Sequence, residues 1–390
     1  MISTPLRIFL IASAALMLKM PGGFAADIGQ AAEQPADDQC MEGTELTVSG
    51  QVNRAFLYAD NGLVDDTYFV DNDNSSTRVR FTAEGHLNCM NRIGAQIEVQ
   101  FESNSTAAIR FGQDESAGPN NFTERKLEVW WENDYLGKIW LGQGDTASNG
   151  TSEIDLSGTS VVAYSGIADM AGGLEFENGL RISSVFTNFD GLSRRDRIRY
   201  DTPTFAGFTL STSFTDEDDF DVALRFAREF GGTKFSAAAS YVEPDTADFD
   251  YRISGSASVL LANGLNATIA AGMNADDVGT RDGSINDPYF LYGKLGYKAS
   301  IIDYGMTNFS IDFTQVEDLD ATGDEFQSAS FAVVQNFDHV GTEVYGAVRW
   351  HSLDAGTVVG LPAAGTNFTP VATASPEDVW AFIAGARVKF

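Results

Sequence analysis

The sequence carries charged residues whose types and spacing suit a wet, electrically polarised passage. Arg78 and Arg80 stand at alternate positions, as do Arg197 and Arg199, and an acid-rich stretch follows Gly144. Opposed charges across a narrow passage with low-dielectric walls focus the electric field between them. Such an arrangement selects solutes by size and charge without binding them tightly. The candidate residues are the cations Arg78, Arg80, Arg92, Lys126, Arg197 and Arg199 and the acids Asp145, Glu153, Asp155 and Asp169.

Enzyme signatures are weak in this chain. The stretch GQGDTA (142–147) lacks the third glycine of the dinucleotide-binding fingerprint and precedes a loop rather than a helix. The metalloprotease, Cys-x-x-Cys and nucleophile-elbow patterns are missing, and only His86, His339 and His351 could serve as a histidine general base. We therefore expect no enzyme, no catalytic residue, no cofactor and no specific metal site. An enzyme or an adhesin stays as the less favoured alternative.

Composition excludes some classes and favours many short strands. The 25 Lys and Arg residues against 55 Asp and Glu residues give a net charge of −30, which argues against nucleic-acid binding because such proteins need a basic surface. A hydrophobic fraction of 43% excludes a disordered acidic tail. The 38 Gly and 28 Phe residues, with only 10 Pro, are typical of strands joined by turns.

The N-terminus predicts export. Arg7 precedes an apolar run over residues 8–18, and Ala25 and Ala26 offer a small-residue cleavage site. The apolar run is too short to span a bilayer as a helix. We expect a signal peptide over residues 1–25, a periplasmic N-terminal segment over 26–43 and a transmembrane β-barrel over 44–390.

Period-two alternation of apolar and polar residues runs through the chain after Cys40 and predicts strands. The sixteen predicted strands lie near 44–52, 76–85, 92–102, 124–134, 137–143, 194–201, 205–214, 220–230, 233–243, 249–261, 264–274, 288–299, 305–317, 325–337, 340–353 and 377–390. The stretch 179–186 could add a seventeenth strand. We assign it to a loop because an even number of strands closes better.

The links between these strands alternate between long and short, and the longest is the third, residues 144–193. Membrane barrels show this alternation, with long loops outside and short turns in the periplasm, whereas a Greek-key sandwich does not. Sixteen strands leave an aqueous channel, and the polar face of each strand needs that water. The fold class is therefore all-β, a 16-stranded antiparallel transmembrane barrel. A register error of one residue would move every side chain to the other face.

The chain resembles the general porins of Gram-negative outer membranes, specifically the alphaproteobacterial-type porin family. The residues that carry the resemblance are 49–60, 124–160, 194–214 and the terminal Phe390. The resemblance implies a homotrimer in the outer membrane, in contact with lipid and lipopolysaccharide, that passes small hydrophilic solutes and ions by diffusion. It also implies a third loop folded inward and a terminal Phe390 that the outer-membrane assembly machinery reads. A substrate-selective outer-membrane channel is the alternative within the same fold.

Three further features lead to separate predictions. Arg54 breaks the pattern because the alternation aims it outward, so we expect it at a subunit interface; a bulge after Val52 is the alternative. Cys40 and Cys89 flank neighbouring strands at the periplasmic end, which predicts a disulfide in that oxidising compartment. The acidic loops lack the spacing of a calcium-binding loop, so they favour loosely bound Ca²⁺ or lipopolysaccharide-associated divalent cations over a specific site.

Overall fold

A computed structural model describes residues 43–113, 122–245, 249–275, 287–319, 323–354, 357–359, 370–372 and 375–390. The predicted signal peptide, the N-terminal segment up to residue 42 and Cys40 lie outside the described residues. Among the residues that are described, the helices are single turns, and none is long and apolar enough to cross a membrane.

Most of the described chain is antiparallel strand, in the order that the alternation predicts. The strands are β1 (Glu45–Asp60), β2 (Asp65–Asp71), β3 (Arg78–Asn88), β4 (Asn91–Phe101), β5 (Phe122–Asn133), β6 (Gly137–Asp145), β7 (Arg194–Asp201), β8 (Phe208–Thr215), β9 (Phe220–Phe230), β10 (Thr233–Glu243), β11 (Tyr251–Leu260), β12 (Leu265–Ala275), β13 (Tyr289–Ile302), β14 (Gly305–Glu317), β15 (Glu325–Phe337), β16 (Thr342–Asp354), β17 (Thr357–Val359), β18 (Pro370–Ala372) and β19 (Val379–Lys389). Sixteen of them form the wall of one closed barrel; β2, β17 and β18 belong to loops.

The barrel closes between its first and last strands. β1 pairs with β19 from Gln51 to Asp60, and its first part, from Glu45 to Gln51, pairs with β3. The backbone of the terminal Phe390 exchanges two hydrogen bonds with Gly50, at 2.9 and 3.0 Å. Closure removes the free edges that would otherwise template aggregation.

Two loops contain strands that the alternation did not reveal. β2 pairs with β1 from Arg54 to Asp60, beyond the part of β1 that pairs with β3. β17 pairs with β18 in the last loop. The stretch 179–186 is not a wall strand, as predicted: it contains a helical turn at Ile182–Val185.

The two faces of each wall strand differ as a barrel in lipid requires. On β13, Leu291 and Leu295 are 51% and 57% exposed on the outside, whereas Tyr292 and Lys294 are 4% and 3% exposed on the inside. Outward apolar side chains meet lipid, and inward polar ones meet water or the third loop. The side chains of this strand therefore alternate between the lipid-facing and the inner surface of the barrel.

The third loop, residues 146–193, lies inside the barrel and covers the inner face of β8 to β16. Its apolar side chains form a core with that wall, in which Phe186 packs against Phe290 and Phe326 with ring centroids 6.0 and 5.8 Å apart. The open part of the lumen is consequently displaced toward β3 to β7.

Small wall residues permit the close approach of the loop. Ser256 and Ser258 on β11 accept hydrogen bonds from the backbone N–H groups of Ile154 and Leu156, at 2.9 and 3.0 Å. Gly272 on β12 lies against Phe189, so that an added Cβ would be 2.7 Å from the Phe189 Cβ. The Ser, Ala and Gly run through β10 to β12 thus forms the seat of the third loop.

Candidate pore constriction

A cavity of about 870 Å³ lies between the third loop and the wall formed by β3 to β7. All the cations of its lining lie on the wall, together with the acids Glu98, Glu124 and Asp145, whereas the loop contributes acids and no cation. The wall contributes the cations Arg78, Arg80, Arg125, Lys126, Arg194 and Arg387, and the loop contributes the acids Glu153, Asp169 and Asp190. Opposite charges therefore face each other across the remaining open lumen, which is the arrangement that focuses an electric field.

Three guanidinium groups on the wall share one buried carboxylate. The Glu98 side chain on β4 is only 1% exposed. Its oxygens accept hydrogen bonds from Arg125 Nε at 2.8 Å and from Arg80 Nε at 2.7 Å, and Arg78 Nη1 lies 3.5 Å away. We call Arg78, Arg80 and Arg125 the arginine cluster. Glu98 neutralises one of its three positive charges.

A β-bulge places two consecutive cations in the lumen. Glu98 pairs with Lys126 on β5 and the next residue, Val99, pairs with Glu124, so Arg125 is the extra residue. A bulge interrupts strict alternation. As a result Arg125 and Lys126 both line the cavity, and Lys126 makes an ion pair with Asp145 on β6.

On the loop side, three carboxyl groups and a phenol lie close together. The Tyr164 hydroxyl donates a hydrogen bond to Asp169, and Asn188 Nδ2 donates one to Glu153 at 3.1 Å. Burial raises the pKa of Glu153 to about 8, and the neighbouring Asp190 and Asp169 carboxylates act in the same direction. Burial likewise raises the pKa of Asp169 to about 7, against the hydrogen bond from Tyr164. These two groups therefore change charge close to neutral pH.

The middle of the third loop is anchored on the far wall by a buried ion pair. Lys294 Nζ on β13 lies 2.7 Å from Asp155 Oδ2 and donates a further hydrogen bond of 2.7 Å to the carbonyl of Ala163. Both charged side chains are almost fully buried. Because a buried charge needs a partner, this contact fixes the position of the loop.

Arginines of the wall bind the backbone carbonyls at both ends of the third loop. Arg225 donates to the carbonyls of Ala147 and Asn149, at 2.8 and 2.7 Å. Arg252 donates to those of Asp190 and Gly191, at 3.1 and 3.0 Å. The planar fork of the guanidinium suits such paired acceptors. These arginines hold the entry and exit of the loop against the barrel.

Six of the ten predicted constriction residues line the cavity: Arg78, Arg80, Lys126, Asp145, Glu153 and Asp169. Two others, Arg197 and Arg199, lie behind the base of the loop instead. Arg197 is buried, pairs with Glu128 at 2.5 Å and donates to the carbonyls of Gly142 and Asp145. Arg199 donates to the carbonyls of Asp145 and Thr146 and pairs with Asp201. Inward orientation alone does not bring a residue to the pore, because the loop covers it.

The remaining two residues also lie away from the cavity. Arg92 is beside the turn that joins β3 to β4 and pairs with Glu132 at 2.7 Å, far along the strand from the arginine cluster. Asp155 is buried against Lys294. These four placements correct the sequence-based assignment to the constriction.

Several cavity residues were not predicted. Alternation already aimed Glu98 inward, and its position opposite Arg80 could have been found from the pairing of β3 with β4. Arg387 also follows the inward register of β19, whereas Arg194 has the parity of the outward Ile198 on β7, so alternation did not predict it in the cavity. Arg125 needed the bulge, and Tyr164 and Asp190 needed the path of the loop, so alternation could not reveal them.

Arg54 points outward, as its position in the alternation predicts. The pairing of β1 with β19 shows no register shift after Val52, so no bulge turns it inward. Its side chain is 43% exposed, and Nη1 lies 2.6 Å from Asp71 Oδ2 on β2 and 2.7 Å from Ser103 Oγ. The counter-charge therefore comes from the same chain, and a place at a subunit interface stays a prediction.

The other predicted sites depend on segments or functions that the geometry does not test. Cys89 lies in the turn between β3 and β4, but Cys40 is outside the described residues, so the disulfide stays a prediction. Phe390 is 65% exposed at the closing seam, and its role as an assembly signal also stays a prediction. In the described part of the chain, no three His, Cys, Asp or Glu side chains are grouped to hold a metal ion.

Comparisons with known proteins agree on one family. A family model described as Gram-negative porin matches residues 12–356. No curated protein matches the sequence significantly. Among solved structures, the chain is similar to the anion-selective porin from Comamonas acidovorans, with 17% identity, a TM-score of 0.57 and coverage of 89% of this chain and 100% of that one.

Two other solved structures show the same fold. A triple mutant of the Rhodopseudomonas blastica porin has 14% identity and a TM-score of 0.52, covering 89% of this chain and 100% of that one. The outer membrane channel DcaP of Acinetobacter baumannii has 14% identity and a TM-score of 0.52, covering 89% of this chain and 98% of that one. The barrel, its inward third loop and the family match lead to one conclusion: this chain belongs to the Gram-negative porin family and is an integral β-barrel channel of the outer membrane.

Proposed function

We propose that the protein passes ions and small hydrophilic solutes by passive diffusion, and that the cavity between the third loop and the arginine cluster is its constriction. The observation that carries this proposal is that every cation lining the cavity lies on the wall, while the facing loop contributes acids and no cation. A solute crossing there exchanges bulk water for a polarised aqueous gap, which favours small polar solutes over large or apolar ones. The acidic outer loops would share loosely bound divalent cations with lipopolysaccharide.

The proposal includes a homotrimer. Porins generally form oligomers, and an outer membrane protein of Vibrio cholerae with the same fold has been solved in a trimer form. In this chain the outward face near β1 carries Phe56 and Phe69, with ring centroids 5.9 Å apart, beside the ion pair of Arg54 with Asp71. An outward surface with aromatic side chains, on which the charge of Arg54 is already paired within the chain, can contact another subunit as well as lipid.

A substrate-selective channel is the second candidate. Such channels would present free aromatic faces along the lumen. Two inward tryptophans exist here, Trp130 and Trp140, but Lys138 Nζ lies 3.8 Å from the centroid of each ring. Their facing surfaces are thus occupied by a cation of the same chain, which favours the general channel.

Planar-bilayer recording on the purified protein tests the proposal. We expect ohmic current steps that arrive in groups of three, with modest ion selectivity from reversal potentials in asymmetric salt. Liposome swelling should slow smoothly with solute size for sugars and amino acids alike. Complete lack of conductance would overturn the channel assignment, and saturable passage of one solute class would favour the substrate-selective alternative.

A further inference from the structure

We propose that Arg228, on the outer surface of the barrel, binds the phosphate group of an anionic phospholipid in the periplasmic leaflet of the membrane. The inference goes beyond the proposed channel function and does not depend on what the pore passes. It assigns a ligand to one position of the lipid-facing surface, on the other side of the wall from the lumen. Arg228 lies near the end of β9, just before the turn of Gly231 and Gly232 that leads into β10.

The pairing of β9 with its neighbours aims Arg228 outward. It has the parity of Leu224, which is 47% exposed, whereas Arg225 has the opposite parity and binds the third loop inside the barrel. Arg228 lies directly opposite Phe235 of β10, which is 40% exposed. The Arg228 side chain is itself exposed. A charge on this surface meets lipid and its headgroups rather than the water of the lumen.

Arg228 has no counter-charge in the described part of the chain, unlike the outward Arg54, which is paired with Asp71 at 2.6 Å. The adjacent Glu229 has the inward parity of Arg225 and lies opposite Lys234. The contact of the guanidinium with the described residues is instead with an aromatic ring, that of Phe230. Its N–H donors and its charge are therefore available to a group from outside the chain.

Phenylalanines around the guanidinium group fix its level in the membrane. The guanidinium carbon lies 4.6 Å from the centroid of the Phe230 ring, so the side chain extends toward the periplasmic turn. Phe230 packs on Phe235 with centroids 6.3 Å apart, and Phe208 packs on Phe226 at 4.7 Å. Phe205, in the neighbouring short turn, is 82% exposed. Aromatic girdles mark the membrane interfaces, where lipid phosphates lie, and arginine side chains extend to the same level. We call these five residues the phenylalanine patch.

The chemistry of the position favours a phospholipid with a net negative charge. Phosphate oxygens accept paired hydrogen bonds from the guanidinium fork. The acyl chains of the same molecule can lie against the phenylalanine patch, which buries apolar surface. A zwitterionic phospholipid offers the phosphate too, but its own ammonium group offsets the attraction. One unpaired cation beside an apolar surface thus matches the headgroup and the chains of an anionic phospholipid together.

This side of the barrel is turned away from the surface that we propose for subunit contact. β9 is the eighth of the sixteen wall strands counted from β1, so it lies opposite the seam of β1 and β19. The aromatic pair of Phe56 and Phe69 and the ion pair of Arg54 belong to that seam. The phenylalanine patch and Arg228 therefore stay in contact with lipid in the proposed trimer.

Native mass spectrometry of the purified protein in a neutral detergent tests the inference. Phosphatidylglycerol and phosphatidylcholine are added in equal amounts, and the ratio of the two lipids bound to the protein is measured. We expect the unmodified protein to retain phosphatidylglycerol preferentially. Arg228→Gln should lower this ratio by roughly fivefold, which is the contribution of one basic residue at an anionic membrane surface. Arg228→Lys keeps the charge and should keep most of the preference.

Lys234→Gln is the matched control. Lys234 lies on β10 near the same turn, opposite Glu229, but has the inward parity of Ser240, so its loss should leave the lipid ratio unchanged. An unchanged ratio in Arg228→Gln, or an equal fall in Lys234→Gln, would refute the site. If Arg228→Gln lost both lipids alike, the patch would bind acyl chains and the assignment of the phosphate would be wrong.

A second measurement needs no variant and covers the case in which Arg228→Gln does not fold. The preference of the unmodified protein for phosphatidylglycerol should weaken as the salt concentration rises, because salt screens exposed charges. A preference that salt does not change would contradict an electrostatic site at Arg228. None of these readouts uses channel current, so the inference and the proposed function can fail independently.

Discussion

Lys294 and Asp155 form an ion pair of 2.7 Å between the inner wall and the third loop, and both side chains are almost fully buried. The pair joins β13 to the loop segment that faces away from the cavity. The loop that narrows the lumen is thus fixed from behind, and the width of the pore depends on a contact that no solute touches.

Replacing Lys294 with Met should loosen the third loop. Removing one partner of a buried ion pair leaves an unpaired buried charge, which costs about 3–5 kcal/mol. We expect noisier single-channel currents, a larger mean conductance and easier thermal unfolding in detergent. The double variant Lys294→Met/Asp155→Leu should regain much of the loss, since it leaves no orphaned charge. Lys298→Met, on the same strand but outside the pair, is the control; an equal effect there would contradict the anchoring role.

The arginine fork at the entry of the loop gives a second prediction. Arg225→Lys keeps the charge but cannot reach the carbonyls of Ala147 and Asn149 together, so the first turn of the loop should become mobile. Increased open-channel noise at unchanged ion selectivity is the expected result. Arg228→Lys is a matched control on β9, because Arg228 is exposed and lies over the Phe230 ring. Unchanged noise in Arg225→Lys would show that other contacts suffice.

The ion selectivity of the pore should depend on pH near neutrality. Glu153 and Asp169, with pKa values raised by burial to about 8 and about 7, are ionised above these values and neutral below them. The groups that face them are Asp190 and Tyr164 on the loop, Arg125 and Arg194 on the wall, and Asp73 before β3. As the pH falls from about 9 to about 6, the loop loses negative charge while the arginines keep theirs.

Reversal potentials across that pH range should therefore shift toward anion permeation as the pH falls. The variant Glu153→Gln/Asp169→Asn should show a much flatter dependence. Glu177→Gln changes an exposed acid of the same loop that does not border the cavity, and its profile should match the unmodified protein. A flat profile in the unmodified protein would mean that these carboxyl groups keep one charge state throughout.

Most of the barrel could be predicted from the sequence because successive side chains of a strand point to opposite faces. Each wall strand therefore appears in the sequence as alternating apolar and polar residues. Each of the sixteen predicted segments overlaps one wall strand, and Arg54 points outward as its position requires. Whether a side chain points inward or outward depends only on its position in the alternation, which can be read from the sequence. β2 was not predicted because it lies in a long loop and pairs with only part of β1.

The constriction was less predictable because it depends on two contacts that alternation does not encode. Lys126 on β5 points inward by alternation, so its neighbour Arg125 would be expected to point outward. The bulge turns Arg125 inward as well. The path of the third loop decides which inward residues stay in the lumen: it covers Arg197 and Arg199 and leaves Arg78 and Arg80 open. That path follows from packing on distant strands, which one sequence does not specify.

Gly94 should tolerate no side chain. An added Cβ would lie 2.3 Å from Cζ2 of Trp130 and 2.8 Å from the carbonyl oxygen of Ala83, so Gly94 lets the indole lie flat on the wall. Gly94→Val should lower thermal stability in detergent, since overpacking costs about 1–3 kcal/mol. Gly293→Val is the control because its Cβ would meet nothing within 4 Å. Partial recovery in Gly94→Val/Trp130→Ala would assign the loss to this contact.

The last residue should matter for assembly through both its backbone and its ring. Phe390 exchanges two hydrogen bonds with Gly50 at the closing seam, and its ring lies over that glycine, whose added Cβ would be 2.7 Å from the ring. Deleting Phe390 removes both features and should reduce the amount of folded protein in the outer membrane. Phe390→Ala keeps the backbone bonds and removes the ring. If this variant assembles as poorly as the deletion yet conducts normally once refolded in detergent, the aromatic ring acts as the assembly signal. If it assembles normally, Phe390 contributes to assembly only through its backbone hydrogen bonds at the closing seam.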